Sequence, residues 1–369
     1  MTIKEKTKTL FGYDRPFAIA MWDFSWLERR WTGGGFENWD DALSELKERG
    51  YDAVRIDPYP HLMIADTNKE WTMIPIWTEH AWGSPRLTKI TVTDELRLFL
   101  SACRDHGIKV ALSSWYRRDL NNMLMRIKSP RDHANIWVEL MLEIEQWDLL
   151  DVILYVDFCN EWPFDIWAPF FAKACGNIGF FDEGSMNWMR KTVEIFKRHY
   201  PEIPVTFSCG YPLTDDAPDV SFLDFIEVHT WMATSSDYYH KLGYKYERFT
   251  DSGYIKLAFD GERVYRKEKE HFDNCLVGNI EAIAEWAEKR NMPIITTEGW
   301  AVVDYKDGPM LEWGWIKELC ELGVKTAADT GVYAGIATSN FCEPQFVGMW
   351  RDANWHRRLT DVIHKSELK

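Results

Sequence analysis

The sequence alternates short apolar runs with amphipathic segments, and eight such units follow one another along the chain. The predicted strands cover residues 17–22, 51–57, 108–116, 151–159, 205–210, 225–231, 293–298 and 331–341. The predicted helices cover residues 39–50, 92–107, 132–150, 187–200, 276–290, 312–329 and 354–369. Strands that alternate with helices form a parallel sheet. Eight units predict a closed (β/α)8 barrel, the TIM-barrel class of α/β folds.

An open, doubly wound sheet is the structural alternative to the barrel. Its dinucleotide-binding form carries a Gly-x-Gly-x-x-Gly motif after the first strand, and the sequence has none there. The length of 369 residues suits one barrel. We therefore expect a single catalytic domain over residues 1–369, with its core at 17–364.

Charge and composition limit the classes of binding partner and the cellular compartment that the sequence predicts. The net charge of −15 argues against a nucleic acid or an anionic membrane as partner. No apolar run approaches the roughly 18–20 residues of a membrane span, and the first eight residues lack the apolar segment of a signal peptide. The seven cysteines form no Cys-x-x-Cys motif, so we expect buried free thiols in a reducing compartment. These features predict a cytoplasmic protein, and they do not determine its oligomeric state.

The longest predicted connections all follow strands and precede helices. They cover residues 58–91, 117–131, 162–186 and 232–275. In a barrel they lie on one rim, at the carboxyl ends of the strands, where barrel active sites are built. Segment 232–275 is too long for a plain linker. We expect it to form a packed lid or insertion around Tyr238, Tyr239, Tyr244, Tyr246, Tyr254 and Tyr265.

Two of the predicted strands end in a glutamate. The apolar run 151–159 leads into Glu161, and the run that begins at Pro293 ends at Glu298, 137 residues later. An unpaired carboxylate at the end of a buried strand is costly. The fourth and seventh strands of a barrel face each other across its mouth. We therefore expect the two carboxylates to act together in glycoside hydrolysis, one as acid and one as nucleophile. Two independent, ion-paired glutamates are the alternative.

Three polar residues at other strand ends support this pair. Arg55 lies late in the second strand and is expected to keep Glu298 ionised, which would raise the pKa of Glu161 and keep it protonated. Asn160 is expected to bind a sugar hydroxyl. His229 ends the sixth strand and is expected to hydrogen-bond the substrate or Glu298. A structural core histidine is the alternative for His229.

The chain contains twenty tryptophans, and many of them follow predicted strands. Core packing is expected to account for about half of them, while an indole ring can also stack on a sugar. We expect Trp231, Trp115, Trp300, Trp22 and Asp23 to contact substrate. The pocket wall is expected to contain Trp22, Asp23, Asp57, Tyr59, Trp115, Trp162 and Trp300.

The Asn-Glu-Trp-Pro motif at 160–163, together with the strand-seven glutamate, resembles a clan of retaining (β/α)8 glycoside hydrolases. This clan, the 4/7 barrels, includes the family 5 cellulases and mannanases. The resemblance covers the architecture of the whole barrel but the motifs of only four strand ends. It implies the roles of acid/base for Glu161, nucleophile for Glu298, hydroxyl binder for Asn160, nucleophile's arginine for Arg55 and strand-six histidine for His229.

Three positions depart from the pattern of that clan. Trp231 stands where a tyrosine often follows the strand-six histidine, and Ser339-Asn340-Phe341 replaces the tryptophan that often ends strand eight. The end of strand three, 113–116, lacks the usual histidine. The chain is therefore interpreted as a divergent, cellulase-like member whose sugar specificity does not carry over from the clan.

The predicted function is retaining hydrolysis of β-linked oligosaccharides, with a carbohydrate as the only partner and no metal or cofactor. Retention requires carboxyl groups about 5–5.5 Å apart, whereas about 6.5–9.5 Å indicates inversion. A non-catalytic sugar-binding barrel and a transglycosylase are the alternatives. A metal-dependent hydrolase would require metal-ligating neighbours for His229, and the sequence shows no His-Glu-x-x-His spacing.

Overall fold

The computed structural model describes residues 1–77, 83–210, 218–244, 250–305, 307–308 and 310–369. The strands are β1 (Phe17–Asp23), β2 (Ala53–Ile56), β3 (Trp71–Met73), β4 (Thr88–Ile90), β5 (Lys109–Ser113), β6 (Ile153–Asp157), β7 (Val205–Thr206), β8 (Ile226–Glu227), β9 (Thr230–Trp231), β10 (Ile294–Thr296), β11 (Gly299–Trp300) and β12 (Tyr333–Ile336). The helices are α1 (Ile3–Phe11), α2 (Ser25–Glu28), α3 (Trp39–Glu48), α4 (Pro60–Met63), α5 (Val92–His106), α6 (Pro130–Gln146), α7 (Pro169–Cys175), α8 (Glu183–Lys197), α9 (Met232–Ser235), α10 (Tyr238–Lys241), α11 (Asp251–Lys267), α12 (Lys269–Lys289), α13 (Gly314–Thr330), α14 (Val347–Trp350) and α15 (Ala353–Lys365).

Eight parallel strands form the central sheet, in the order β7-β6-β5-β2-β1-β12-β10-β8. A parallel bridge between Cys209 and Val228 joins the two outer strands. The N–H of Cys209 donates to the Glu227 carbonyl at 3.0 Å, and the N–H of His229 donates to the Cys209 carbonyl at 2.9 Å. The sheet therefore closes, and the predicted (β/α)8 barrel is confirmed.

Seven of the helices correspond to those expected from the sequence, and α12 shows the largest difference in its bounds. It begins at Lys269 rather than at residue 276. Its buried residues Phe272, Leu276, Ile280 and Ile283 repeat every three to four positions, which is the spacing of one helix face. The apolar stripe thus extends one turn before the predicted start, and the helix extends with it.

The amino-terminal helix α1 was not predicted, and it closes the base of the barrel. Phe11 packs against Phe17, Tyr155 and Phe225, with ring centroids 5.6, 6.3 and 5.2 Å away. Thr2 caps the helix with Glu5 in a reciprocal capping box. The base is thereby sealed with aromatic side chains, and the opposite rim is left to the long loops.

The long loops contain their own secondary structure. Loop 58–91 contains the antiparallel pair of β3 and β4. Segment 232–275 contains α9, α10, α11 and the start of α12, and it packs on the loop after β11. There Tyr239 and Tyr244 stack with centroids 5.1 Å apart, and both hydroxyls donate to Asp304. Tyr246 lies outside the described residues. The insertion is helical, and its role as a lid stays a prediction.

The structure bears on two expectations drawn from composition, the state of the cysteines and the lack of a membrane-spanning segment. All seven cysteines are free; five are buried, Cys175 is exposed and Cys275 is half-buried. Among the described residues, the helices are too short or too polar to cross a membrane.

Candidate active site

Glu161 lies in a tight loop after β6. Its φ of 46° is in the left-handed region, which residues other than glycine seldom adopt. Its N–H donates to Ser208 Oγ at 2.9 Å, and the next N–H, of Trp162, donates to the Ser208 carbonyl at 2.9 Å. Such a conformation costs on the order of 1–3 kcal/mol and persists where the surroundings fix it. The chain on either side of Ser208 thus fixes the position of Glu161 at the mouth.

Glu298 follows β10 and meets Glu161 across the mouth. His229 Nδ1 lies 3.2 Å from Glu161 Oε1 and 3.6 Å from Glu298 Oε1. One atom from each of these three side chains lies within 4.8 Å of the other two. The fold therefore brings the two glutamates together, with the histidine between them.

Arg55 is the central cation of the site. It is fully buried, and its guanidinium lies 2.8 Å from Asp157, 3.2 Å from Glu227 and 3.2 Å from Glu298. It also donates to the side-chain oxygens of Ser113, Asn160 and Ser208, and it lies 4.6 Å from the Trp115 ring, a cation–π distance. Burial opposes the charge, but the three carboxylates together raise the pKa of Arg55 above its ordinary value.

His229 is a second cation in the same cluster. Burial alone would lower its pKa, but the negative charge of Glu298, the hydrogen bond to Glu161 and the nearby carboxylate of Glu227 raise the pKa of His229 to about 10. The imidazolium thus contacts both glutamates of the pair. His229 was expected to hydrogen-bond the substrate or Glu298; its hydrogen-bond partner is Glu161, and Glu298 lies 3.6 Å away at an ion-pair distance.

At Glu298, the effect of burial on the pKa is larger than the opposite effect of the neighbouring cations. Burial raises the pKa of Glu298 to about 7, although the charges of His229 and Arg55 lower it. The neighbouring Glu161 adds a further upward contribution. Arg55 was expected to hold Glu298 ionised at neutral pH; it lies 3.2 Å away and lowers the pKa, but burial has the larger effect. At pH 7 the carboxyl is near its midpoint, because only 5 % of its side chain is exposed.

The sequence argument missed two further carboxylates. Asp157 ends β6 and accepts hydrogen bonds from Arg55 at 2.8 Å and from Ser113 Oγ at 2.6 Å. Glu227 ends β8 and accepts from Thr297 Oγ1 at 2.5 Å while it faces Arg55. Both are acids inside apolar strands. Since a buried acid requires a partner, that pattern was the available signal for them.

The two glutamates open into a cavity of about 260 Å³. Its wall also contains Trp77, Trp115, Asn160, Phe164, Ile166, Trp167, Gly210, Trp231, Thr234 and Val303. The indole N–H groups of Trp115 and Trp231 are buried and have no hydrogen-bond partner among the described residues. Buried donors almost always have a partner. The two indoles therefore indicate a ligand with hydrogen-bond acceptors.

Three tryptophans expected in the pocket wall lie behind it instead. Trp22, Trp162 and Trp300 are fully buried and outside the described wall of the cavity. Their indole N–H groups donate to the Cys342 carbonyl, to Ser185 Oγ and to the Ala337 carbonyl, at 3.1, 2.9 and 2.9 Å. Since their donors are satisfied inside the protein, the expectation of substrate contact is corrected to core packing.

Asp23, Asp57 and Tyr59 are also buried beneath the cavity rather than in its wall. Asp57 accepts the N–H groups of Tyr59 and Trp115 at 2.8 and 3.0 Å, and it thereby fixes the backbone of Trp115. Asp23 accepts the N–H of Ser25 at 2.5 Å. These residues were expected in the pocket wall; the structure instead places them behind it, where the two aspartates hold the backbone of neighbouring residues.

Glu161, His229 and Glu298 also have the spacing of three metal ligands. The Nδ1 atom of His229 is already engaged in a hydrogen bond with Glu161 at 3.2 Å. Arg55 already contacts Glu298 as a cation. The donor set therefore fits a proton-bearing histidine between two carboxylates better than it fits a metal centre.

Comparison with protein families identifies the chain. The model of the cellulase-like family, which is described as sugar-binding, matches residues 19–364. The chain belongs to this family. The match covers the barrel from β1 to α15, so the cellulase-like assignment applies to the whole fold. No curated protein matches the chain.

Solved structures share the fold of the chain. The chain is 47% identical to a protein from Parabacteroides distasonis ATCC 8503, provisionally described as a glycoside hydrolase, over 96% of this chain and 95% of that one, with a TM-score of 0.94. A family 5 subfamily 18 glycoside hydrolase from Streptomyces cattleya, in complex with GlcNAc, shares the fold at 13% identity and a TM-score of 0.53, over 96% and 82% of the two chains. A family 5 mannosidase from Rhizomucor miehei, in complex with mannosyl-fructose, does so at 12% identity and a TM-score of 0.53, over 95% of both chains. These two family 5 enzymes thus share the barrel fold with this cellulase-like protein.

Proposed function

We propose that this cellulase-like protein is a retaining β-glycosidase that hydrolyses β-linked oligosaccharides, with Glu298 as nucleophile and Glu161 as acid/base. The observation that carries the proposal is the carboxylate pair itself, since one oxygen of each glutamate lies within 4.8 Å of an oxygen of the other. So close an approach favours the roughly 5–5.5 Å separation of the carboxyl groups in retaining enzymes over the roughly 6.5–9.5 Å that an inverting enzyme needs to place water.

The proposed reaction has two steps. Glu298 attacks the anomeric carbon while the bond to the leaving oxygen breaks, and Glu161 donates its proton to that oxygen. Glu161 then takes a proton from water, and the water oxygen attacks the anomeric carbon and releases Glu298. Arg55 and His229 stabilise the carboxylate of Glu298 before attack and after release, since both lie within 3.6 Å of it.

Asn160 is assigned to a substrate hydroxyl. Its Oδ1 accepts from Arg55 at 2.8 Å, and the residue lines the cavity. With its oxygen held by the guanidinium, the amide NH2 is the group left to donate. Trp115 and Trp231 offer their indole N–H groups to the same ligand.

The pKa values predict the pH range of activity. Glu298 must be ionised to attack, and its pKa is raised to about 7, so kcat/KM is expected to fall as pH drops below about 7. The pKa of His229 is raised to about 10, so its imidazolium persists across the neutral range and continues to lower the pKa of Glu298.

The proposal is tested with aryl β-glycosides of glucose, mannose, galactose, xylose and fucose. We expect one sugar to be hydrolysed with retained configuration, and Glu298→Ala and Glu161→Ala to lose the activity. Azide is expected to restore turnover of Glu298→Ala as a glycosyl azide of inverted configuration. Glu95→Gln, on the outer helix α5, serves as the matched control and keeps activity.

Binding to a glycan array without turnover of any substrate would instead support a sugar-binding barrel, which is the function that the family description names. A transglycosylase would use the same two glutamates, and products longer than the substrate would reveal it.

We also propose a cytoplasmic location, because all seven thiols are free. Fractionation of the source cells with an antibody against the protein checks this location. Recovery outside the cytoplasm would contradict it.

A further inference from the structure

A second cavity, of about 350 Å³, adjoins the catalytic cavity. The two cavities share Trp115, Ile166 and Trp167 in their walls. The far wall of the second one is formed by Ile74, Pro75 and Ile76, which follow β3, and by Met125. A ligand held between the two glutamates would therefore have room to extend past Trp115 and Trp167.

The second cavity lies on the side of the acid/base. Ile166 and Trp167 belong to the loop that begins at Glu161, and Trp167 Nε1 donates to Glu161 Oε2 at 3.4 Å. The Phe164 N–H donates to the Glu161 carbonyl at 3.0 Å and holds this loop compact. The atom that Glu161 protonates is the oxygen of the leaving group. The leaving group therefore begins beside Glu161, at the entrance to the second cavity.

The chemistry of this cavity differs from that of the catalytic one. Three isoleucines, two prolines, a methionine and two indole rings form most of its wall, and one of the isoleucines, Ile166, is 46 % exposed. The polar residues Arg118, Asn122 and Asp165 are exposed and so lie at its solvent side. Arg117 also contributes, but its guanidinium is paired with Glu28 at 2.8 Å. A second sugar would leave most of its hydroxyls facing apolar groups, whereas an apolar ring would bury its faces favourably.

We infer that the second cavity binds an apolar, ring-bearing aglycone. This assignment rests on the proposed function and narrows it: the preferred substrates are β-glycosides of aryl or arylalkyl alcohols. The C–O bond to the anomeric carbon breaks, the proton of Glu161 passes to the aglycone oxygen, and the aglycone leaves as an alcohol. The unpartnered Trp115 N–H, at the shared wall, is placed to donate to an oxygen of the aglycone.

Methyl and benzyl β-glycosides of the same sugar test the assignment, because their alcohols are similarly acidic and differ mainly in the ring. The glycosyl fluorides of the panel sugars test the proposed function separately, since fluoride carries no ring. We expect the wild type to hydrolyse one fluoride and to prefer the benzyl over the methyl glycoside at least tenfold in kcat/KM. Met125→Glu is expected to reduce that ratio to about threefold or less.

Ile166→Asp provides a second variant that should fold, because its side chain is half exposed, and it should also reduce the ratio. Leu98→Glu, an exposed position on α5, is the control and keeps it. Fluoride hydrolysis with a benzyl-to-methyl ratio near one, or a ratio that survives both cavity variants, would overturn the aglycone site and leave the glycosidase intact. No hydrolysis of any fluoride would refute the proposed function, and the substrate assignment with it.

Discussion

Two glutamates buried to the same depth at this rim have opposite pKa shifts. Glu227 in β8 and Glu343 in the loop after β12 are both fully buried. Burial raises the pKa of Glu227, but Arg55 and His229 reverse the effect, so that the pKa is lowered from its ordinary value. Burial and the charge of Asp23 raise the pKa of Glu343 well above its ordinary value. For these two glutamates, the cations in contact rather than the depth of burial therefore decide the direction of the pKa shift.

The neighbours of the two glutamates explain the contrast. Glu343 accepts from Gln345 Nε2 at 2.6 Å, and Asp23 accepts from the Ser25 N–H at 2.5 Å, so neutral groups hold this pair. Arg29 attracts both carboxylates, but burial outweighs it. The cluster around Glu227 instead contains two cations in ion-pair contact. Charge changes should thus be severe at the catalytic cluster and mild at the Asp23–Glu343 pair.

The largest expected effect follows removal of Arg55. In Arg55→Met, Asp157 and Glu227 would remain buried without their cation, so we expect the free energy of unfolding to fall by about 3–5 kcal/mol. Urea denaturation measures the change. Arg97→Met removes an exposed pair with Asp94 and is expected to cost no more than about 1 kcal/mol. Equal losses in both variants would contradict the central role of the Arg55 cluster.

The next largest effect is a loss of activity, expected in His229→Gln. This variant removes the second cation of the cluster but keeps a polar side chain. We expect kcat/KM on the active aryl glycoside to fall about 10²–10³-fold. Because the positive charge of His229 lowers the pKa of Glu298, its loss should also move the acidic limb of the pH–rate profile above pH 7. An unmoved acidic limb would show that the histidine acts without this electrostatic effect.

Glu227→Gln weakens the catalytic cluster less, because the amide oxygen still accepts from Thr297. We expect a loss of about 1–3 kcal/mol in stability. Glu227 raises the pKa of His229, so the imidazolium of His229 should titrate at a lower pH in the variant, which NMR of its ring protons measures. Glu28→Gln disrupts a different buried pair, with Arg117, and should lose stability without that shift. A matching shift in both variants would assign a merely structural role to Glu227.

The smallest effect is expected at the neutral pair, in Asp23→Asn. At pH 5 the carboxyl of Asp23 is protonated in the folded state, since its pKa is raised to about 7, and the amide should change stability by less than about 1 kcal/mol. Because the folded state binds the extra proton, the wild type should lose stability as pH rises from about 4 to about 7. The variant should lose less, so the difference should grow with pH. Parallel stability curves would show that Asp23 is already ionised when folded.

The sequence predicted the barrel and its carboxylate pair, because both depend on patterns along single strands. Glu161 and Glu298 each end an apolar run, and parallel strands place such ends on one rim. The orientation of the tryptophans was not predictable in this way. Trp22 and Trp115 both lie at a strand end, yet Trp22 turns into the core and Trp115 lines the cavity. That difference depends on packing between distant elements, as does the closure of the base by Phe11.

The two ends of the chain meet at the closed base of the barrel. The N–H of Lys4 donates to the Lys369 carbonyl at 2.8 Å, and the N–H of Lys369 donates to the Gly331 carbonyl at 3.0 Å. Any tag, linker or surface attachment joined at either terminus would therefore leave the molecule on the face opposite the mouth. The protein can be tethered or fused from both ends at once while its cavities stay open, and because the termini adjoin each other a short peptide could join them and new ends be cut elsewhere.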